Sequence, residues 1–461
     1  MTENITRRAR RLRILSGMAI GALIVGGAPF AQTTPPPPTL AGTLPLAIPA
    51  HSTQTPEAAR PFFDSFSWQS FVALMWPVNP SQRGVPLNPT DPAALTKAGN
   101  NYSTVWGSYL TDTALFPGGT QRPIAWNQTQ PSTLCPNLPA GGKVMTRISE
   151  AGSLLSDLNQ AFSFPLVDQN NNYIYYEIAY DQAQYDFVRG ADADPASWLY
   201  LARNLAQAEM KAPIAMPIGS AAPAAPGAMM LKAGWKQLTV QDDASRYYWI
   251  NAAIYDPTAT PPVCHSAKLG LIALHIARKV APFPQWVWST LEQVDNVPPD
   301  KGSPPHAPLT LNNGTATPPT DQGWANRPKD KGPVPPGQRS PAQVTRFNPI
   351  PTTPAGNGTT DLNTRWQAAL AGTPLAYYQL VMTQWPSMPV AQEGFQTVEA
   401  GGLYPGGAGQ PFPVAGAINA AIETFFQSQR DAAGAGGNSC MQCHYTAGQA
   451  DFSWSLTLRS Y

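Results

Sequence analysis

Cysteine, histidine and charge are scarce in this chain. Its 461 residues include 4 Cys, 5 His and 12 % charged side chains. So little charge excludes a coiled coil or a long solvated helical rod, which need charge-rich heptads. Lys+Arg number 29 against 28 Asp+Glu, a formal net charge of +1, so the chain as a whole carries no basic field for a nucleic-acid partner. No apolar run reaches the ~20 residues of a membrane-spanning helix. A Gly-rich phosphate loop, H-E-x-x-H and G-x-S-x-G are all missing. Proline, glycine and aromatics are abundant instead. The 51 Pro and 37 Gly exceed ordinary usage of about 5 % and 7 %. With 43 % hydrophobic residues, 13 Trp, 16 Tyr and 16 Phe, the chain is loop-rich yet able to bury a large core, in one domain or two.

The N-terminus reads as an address. Arg7, Arg8, Arg10, Arg11 and Arg13 precede the apolar run 14–28, small residues up to Ala31, and then Pro35 to Pro38. A basic region, a short apolar run and a small-residue exit are the layout of a secretory signal peptide, expected over 1–31. Five of the 29 basic residues and only Glu3 of the acidic ones lie there, so the remainder is mildly acidic. Export to the periplasm or medium follows as an expectation, with no stable membrane span after cleavage. In an oxidising compartment Cys135 and Cys264, which stand alone in the sequence, are expected to pair as a disulfide.

Residues 32–60 form a Pro-rich leader, and 61–414 a β-rich body. The body opens with a helix whose stripe is Trp68, Phe71, Val72 and Met75, stopped by Pro77. An Asn-rich turn at 170–172 joins 166–168 to 173–180 as a hairpin. A helix starting from Asp194 as N-cap and Pro195 as first residue carries Trp198, Leu201, Ala202 and Leu205. Strands follow at 231–238, 247–255, 269–279 and 285–294, the last two as an antiparallel pair. Residues 297–360 read as a Pro-rich arm anchored on the body by Trp324 and Phe347. A helix at 361–370, a strand at 375–385 and a helix at 415–429 burying Ile418, Ala421, Ile422 and Phe425 complete the reading. The expected class is α+β: an antiparallel β-rich body, surrounding helices, long Pro-rich loops, and a short helical attachment segment at 415–461.

That segment holds Cys440-Met441-Gln442-Cys443-His444, the C-x-x-C-H signature of covalent haem c attachment. Two thiols three residues apart on one turn reach the two vinyl groups along one porphyrin edge. The following His444 is then placed beneath the iron as proximal ligand. A redox dithiol, a plain disulfide, or a zinc site completed by Cys264 and His265 are the other readings of the same residues.

CMQCH matches c-type cytochromes generally. Together with Phe66 to Leu74, Gln285 to Asn296, Thr383 to Pro386 and the end from Ile418 to Trp454, it resembles the large single-haem bacterial proteins of the cytochrome c family. The resemblance implies haem attachment at Cys440 and Cys443 and axial ligation by His444. The family pattern has a His where Gln293 stands, so no ligand is carried to that position. The function expected is single-electron transfer by an exported c-type cytochrome with one covalent haem. Its partner would be a redox protein or a small-molecule donor or acceptor. A haem enzyme of peroxidase or oxidase/oxygenase type, or a haem-based sensor with an open sixth position, is the alternative.

Residues 445–461 contain neither Met nor His, so a sixth ligand from this chain is expected upstream. His275 leads, since strand alternation puts it on one face with Leu271, Ala273 and Ala277. Met382 is the thioether alternative, with Met388 behind it. His51, His265 and His306 lie in loop-like sequence. Glu177, Asp181 and Asp186 around the hairpin read as a solvated face.

Overall fold

The computed structural model describes residues 37–48, 55–129, 132–138, 142–146, 165–256, 259–281, 283–299, 308–314, 337–346, 348–353, 356–386, 411–413, 416–426, 439–445 and 447–459. The expected signal peptide, His51, His306, Trp324, Phe347 and Met388 lie outside them.

Period-2 runs rich in Tyr, Trp, Ile, Val and Leu make the long strands, and five two-residue strands join them. They are β1 (Leu110–Thr111), β2 (Val144–Met145), β3 (Tyr175–Tyr180), β4 (Ser220–Ala221), β5 (Ala224–Ala225), β6 (Met229–Gln237), β7 (Trp249–Asp256), β8 (Val263–Val280), β9 (Phe283–Gln293), β10 (Tyr378–Pro386) and β11 (Pro411–Phe412). Among the described residues nine of them share one sheet, in the order β1-β3-β6-β8-β9-β10-β11, with β7 also on β8 and β2 on β7. β4 and β5 make a separate hairpin. The pairs along the main path are antiparallel, whereas β2 runs parallel to β7. The helices are α1 (Pro56–Leu74), α2 (Pro92–Thr96), α3 (Asp112–Leu115), α4 (Gln182–Arg189), α5 (Ala202–Lys211), α6 (Thr359–Ala369), α7 (Cys440–Tyr445) and α8 (Trp454–Arg459). The fold is therefore α+β with an antiparallel β-rich body. Among the described residues no helix is long and apolar enough to cross a membrane.

Alternation gives the central sheet two differently covered faces. On one, α1 and α6 pack. Ser67 of α1 shares hydrogen bonds of 2.7 Å with Ser289 of β9 and with Thr383 of β10. Trp68 stacks on Trp366 of α6, and its indole donates to Asn363, which also holds the Leu380 backbone of β10. The expected stripe Trp68, Phe71, Val72 and Met75 is wholly buried. Each such side chain contributes roughly 1.5–3 kcal/mol by leaving water. On the other face lies the C-terminal segment.

Several sequence expectations shift. The expected helix after Asp194 is broken. Asp194 caps a short 3-10 turn, Pro195–Ser197, and α5 begins only at Ala202. The break is stabilised because the Leu199 amide bonds Val188, while the Asn204 side chain ties Pro195 and Trp198 carbonyls. The expected helix at 415–429 is irregular over 416–426 apart from a 3-10 turn, Thr424–Phe426, although Ile418, Ala421, Ile422 and Phe425 are buried. Here sheet side chains replace helical hydrogen bonds. Asn419 donates to Thr290 and to the Leu291 carbonyl, and the Ala420 amide donates to Glu292. β8 extends six residues N-terminal of the expected strand because β7 pairs with Val263 to Gly270. In the described parts of the arm, Leu309, Leu311, Val344 and Ile350 are buried. The Leu311 amide bonds Asn296, and the Ala342 amide bonds Val167.

Candidate functional site

Helix α7 carries Cys440, Cys443 and His444 in under two turns, with the Cys443 amide bonded to the Ser439 carbonyl. Neither cysteine is in a disulfide; Cys440 is half-buried, its thiol donating to the Ala417 carbonyl at 3.3 Å, and Cys443 is exposed. The sheet fixes this helix through Gln384 of β10. Its carbonyl oxygen accepts the Met441 amide at 2.7 Å, and its own amide donates to Pro413. Gln384 is fully buried and Met441 packs in the main core.

His444 is held from two sides. Its ring lies 4.4 Å from the Trp288 ring of β9. Its Nδ1 lies 2.6 Å from the Phe452 carbonyl oxygen. A carbonyl accepts only, so Nδ1 carries the proton and Nε2 keeps its lone pair. Burial also pushes the imidazole down to about 4, against the opposing effect of that hydrogen bond, so the neutral ring persists well below neutral pH. The Phe452 carbonyl is aimed by a tight turn in which Asp451 and Phe452 have φ of 52° and 63°. That left-handed region is uncommon for any residue with a side chain and rarer for a bulky one.

The sheet face beneath the segment is set by register. Lys232 of β6 pairs with His275 of β8, His275 with Thr290 of β9, and Thr290 with Met382 of β10. One row along, Ala277 pairs with Trp288 and Trp288 with Gln384. Direct partners share a face, so His275 and Met382 point to the same side as Trp288 and Gln384, which touch the motif. The sequence had singled out His275 and Met382 from separate strands, and the sheet aligns them. Met382 is buried in a cluster with Ile350, Val381 and Ala417, against which Cys440 packs. His275 Nε2 is 3.4 Å from the Glu423 carboxylate, yet the geometry falls short of a hydrogen bond and that nitrogen is buried without one. Despite desolvation, His275 and Lys232 hold the Glu423 carboxyl below its usual range. Burial lowers Lys232 to about 8, opposed by Glu423. Burial and then Glu423 push the Cys440 thiol well up, the reverse of an activated nucleophile.

The remaining candidates stand apart. Cys135 and Cys264 form a disulfide with a Cα–Cα distance of 5.8 Å. Cys264 is thus no zinc ligand, and exposed His265 beside it is about 30 Å along β8 from His275. No group of three or more His, Cys, Asp or Glu able to hold a metal ion occurs among the described residues. Glu177 and Asp181 are buried, which corrects the expected solvated face; only Asp186 is exposed. Glu177 pairs with Lys143 and accepts from Trp235, so it is structural. Asp181 caps α4 and binds the Gln184 and Met229 amides, with burial raising its carboxyl to about 7. The sequence did not flag Trp288, Gln384, Lys232 or Glu423. Trp288, Gln384 and Glu423 do lie in the stretches that carry the family resemblance, and an inward-facing lysine in a strand was the signal for Lys232.

The donor set fits a covalently attached haem: two thiols on one turn that are in no disulfide, an imidazole with Nδ1 occupied and Nε2 open, and a second imidazole nitrogen buried without a hydrogen bond on the adjoining sheet face. Comparison with protein-family models, with curated proteins and with solved structures found no match.

Proposed function

We propose that this chain is an exported c-type cytochrome of the cytochrome c family, carrying one haem on Cys440 and Cys443 and transferring single electrons. One observation carries the reading: within a C-x-x-C-H helix, the Phe452 carbonyl fixes the His444 tautomer with Nε2 free to ligate. When bound, the haem supplies a one-electron iron couple; the chain supplies attachment, an axial ligand and a buried surround. Trp288 and Phe452 orient the proximal imidazole, and Gln384 holds the helix that bears it. His275 or Met382 would be the residue to offer a further ligand from the sheet. Periplasmic or extracellular residence is supported by the basic and apolar N-terminal pattern and accords with the Cys135–Cys264 disulfide. The electron partner is a redox protein or a small molecule.

The second reading, a haem enzyme or sensor with an open sixth position, draws on the His275–Glu423 pair. With Nε2 turned toward the carboxylate, His275 can exchange a proton beside the site rather than ligate. Added cyanide or carbon monoxide separates the two. A low-spin spectrum indifferent to both supports electron transfer, and a spectrum that shifts supports the open site.

The attachment itself is tested by haem staining after denaturing electrophoresis of the exported chain. Wild type should stain at the mass of the chain. Cys443→Ala should lose most of the stain, and His444→Ala should keep it while losing the normal visible spectrum. Staining retained in the Cys440→Ala, Cys443→Ala double variant would sink the proposal.

A further inference from the structure

The turn that presents the Phe452 carbonyl is tied to the sheet by its neighbour. The Asp451 carboxylate accepts the Met216 amide at 2.6 Å and pairs with the Lys279 ammonium at the end of β8. The Trp286 indole of β9 donates to both the Asp451 carbonyl, at 3.0 Å, and its carboxylate, at 3.3 Å. The Gln449 carbonyl accepts the Ile214 amide on the same turn. Lys279 and Asp451 are both buried, 0 % and 6 % exposed. A buried ion pair of this kind adds little net stability over apolar packing, because desolvation offsets the attraction. It does fix position. Here it fixes two consecutive left-handed residues, the second of which is a phenylalanine.

We infer that Asp451, clamped by Lys279 and Trp286, is the positioning residue for His444: it holds the Phe452 carbonyl where Nδ1–H must donate. The inference rests on His444 being the haem ligand. A strong acceptor at Nδ1–H makes the imidazole more basic, favours the ferric state and lowers the potential. The clamp therefore sets both the tautomer and the donor strength of the proximal ligand from outside the C-x-x-C-H helix. Asp451 acts through Phe452 and has no direct role at the iron.

The test uses two forms of the full chain. In the haem-free chain, ¹⁵N-histidine labelling gives few signals because the sequence has 5 His. Asp451→Asn tolerates the left-handed turn but loses the ion pair, and Trp286→Phe removes the indole donor without a change of charge. Both should move the His444 Nδ1–H signal to the position of a solvent-exchanging imidazole. In the haem-loaded chain both should shift the midpoint potential upward. Lys279→Arg should retain both wild-type values. Trp68→Phe, which removes a buried indole bond on the opposite face, should lower thermal stability and move neither readout. An unchanged His444 signal in Asp451→Asn overturns the inference; should that variant not fold, Trp286→Phe decides on the same signal. If wild type takes up no covalent haem, the function reading fails, while the histidine signal of the haem-free chain still decides the clamp.

Discussion

His275 and Glu423 meet across the covered face of the sheet, Nε2 3.4 Å from a carboxylate oxygen, although 148 positions separate them in sequence. His275 is fixed by β8, flanked by Lys232 and Thr290 as cross-strand partners. Glu423 comes from the irregular segment that covers the sheet, and it also accepts the Asn419 amide. Two strands away, Met382 faces the same side through the Thr290 pairing.

This geometry makes the sixth ligand of the proposed haem decidable. With His275 as ligand, His275→Ala should convert the low-spin spectrum to high spin and change the potential, while Met382→Leu leaves both in place. Bis-imidazole ligation gives a lower potential than His/Met ligation, so the wild-type potential itself is a second readout. An unchanged low-spin spectrum in His275→Ala, with loss in Met382→Leu, would transfer the role to Met382.

Asp181 gives a pH signature of the core. Its carboxyl is raised to about 7 in the fold from an ordinary value of 3.8, burial outweighing the bonds from the Gln184 and Met229 amides. The protonated form is thus favoured on folding, so its contribution is present below about 4 and lost as pH rises toward 7. Asp181→Asn keeps a capping oxygen and cannot ionise. The variant should therefore gain on wild type between pH 4.5 and 7.5, by on the order of a few kcal/mol. Urea denaturation at both pH values checks this; an equal difference at the two would refute it.

The disulfide closes a 129-residue separation. The chain-entropy account allows up to ~5 kcal/mol for such a loop, and removal of native disulfides commonly costs about 2–5 kcal/mol. Cys135→Ser with Cys264→Ser should lower thermal stability accordingly and leave the visible spectrum unchanged, since Cys264 and His265 lie far along β8 from the site. Thiol titration of the haem-loaded wild type under denaturing conditions should find no free cysteine. Two free thiols there, together with haem staining, would refute the pairing.

The long strands β3 and β6 to β10, the α1 stripe, the paired cysteines and the C-x-x-C-H helix are legible in the sequence, because each rests on local period, local spacing or a cysteine count, whereas the two-residue strands are not. The helix expected over 415–429 was not, since its apolar period is real but its Ala420 amide bonds to Glu292 and its Asn419 side chain to Thr290, residues more than a hundred positions away. Glu177 and Asp181 likewise looked solvated until Lys143, Trp235 and the Met229 amide arrived from other elements. By itself the sequence supplies the C-x-x-C-H motif on which the proposed haem attachment rests, and His275 and Met382 as upstream candidates. Tertiary structure alone decided that these two share a sheet face, that Gln384 seats the helix, and that Asp451 aims the carbonyl which fixes His444. Those relationships depend on strand register and on long-range hydrogen bonds, which no local pattern encodes.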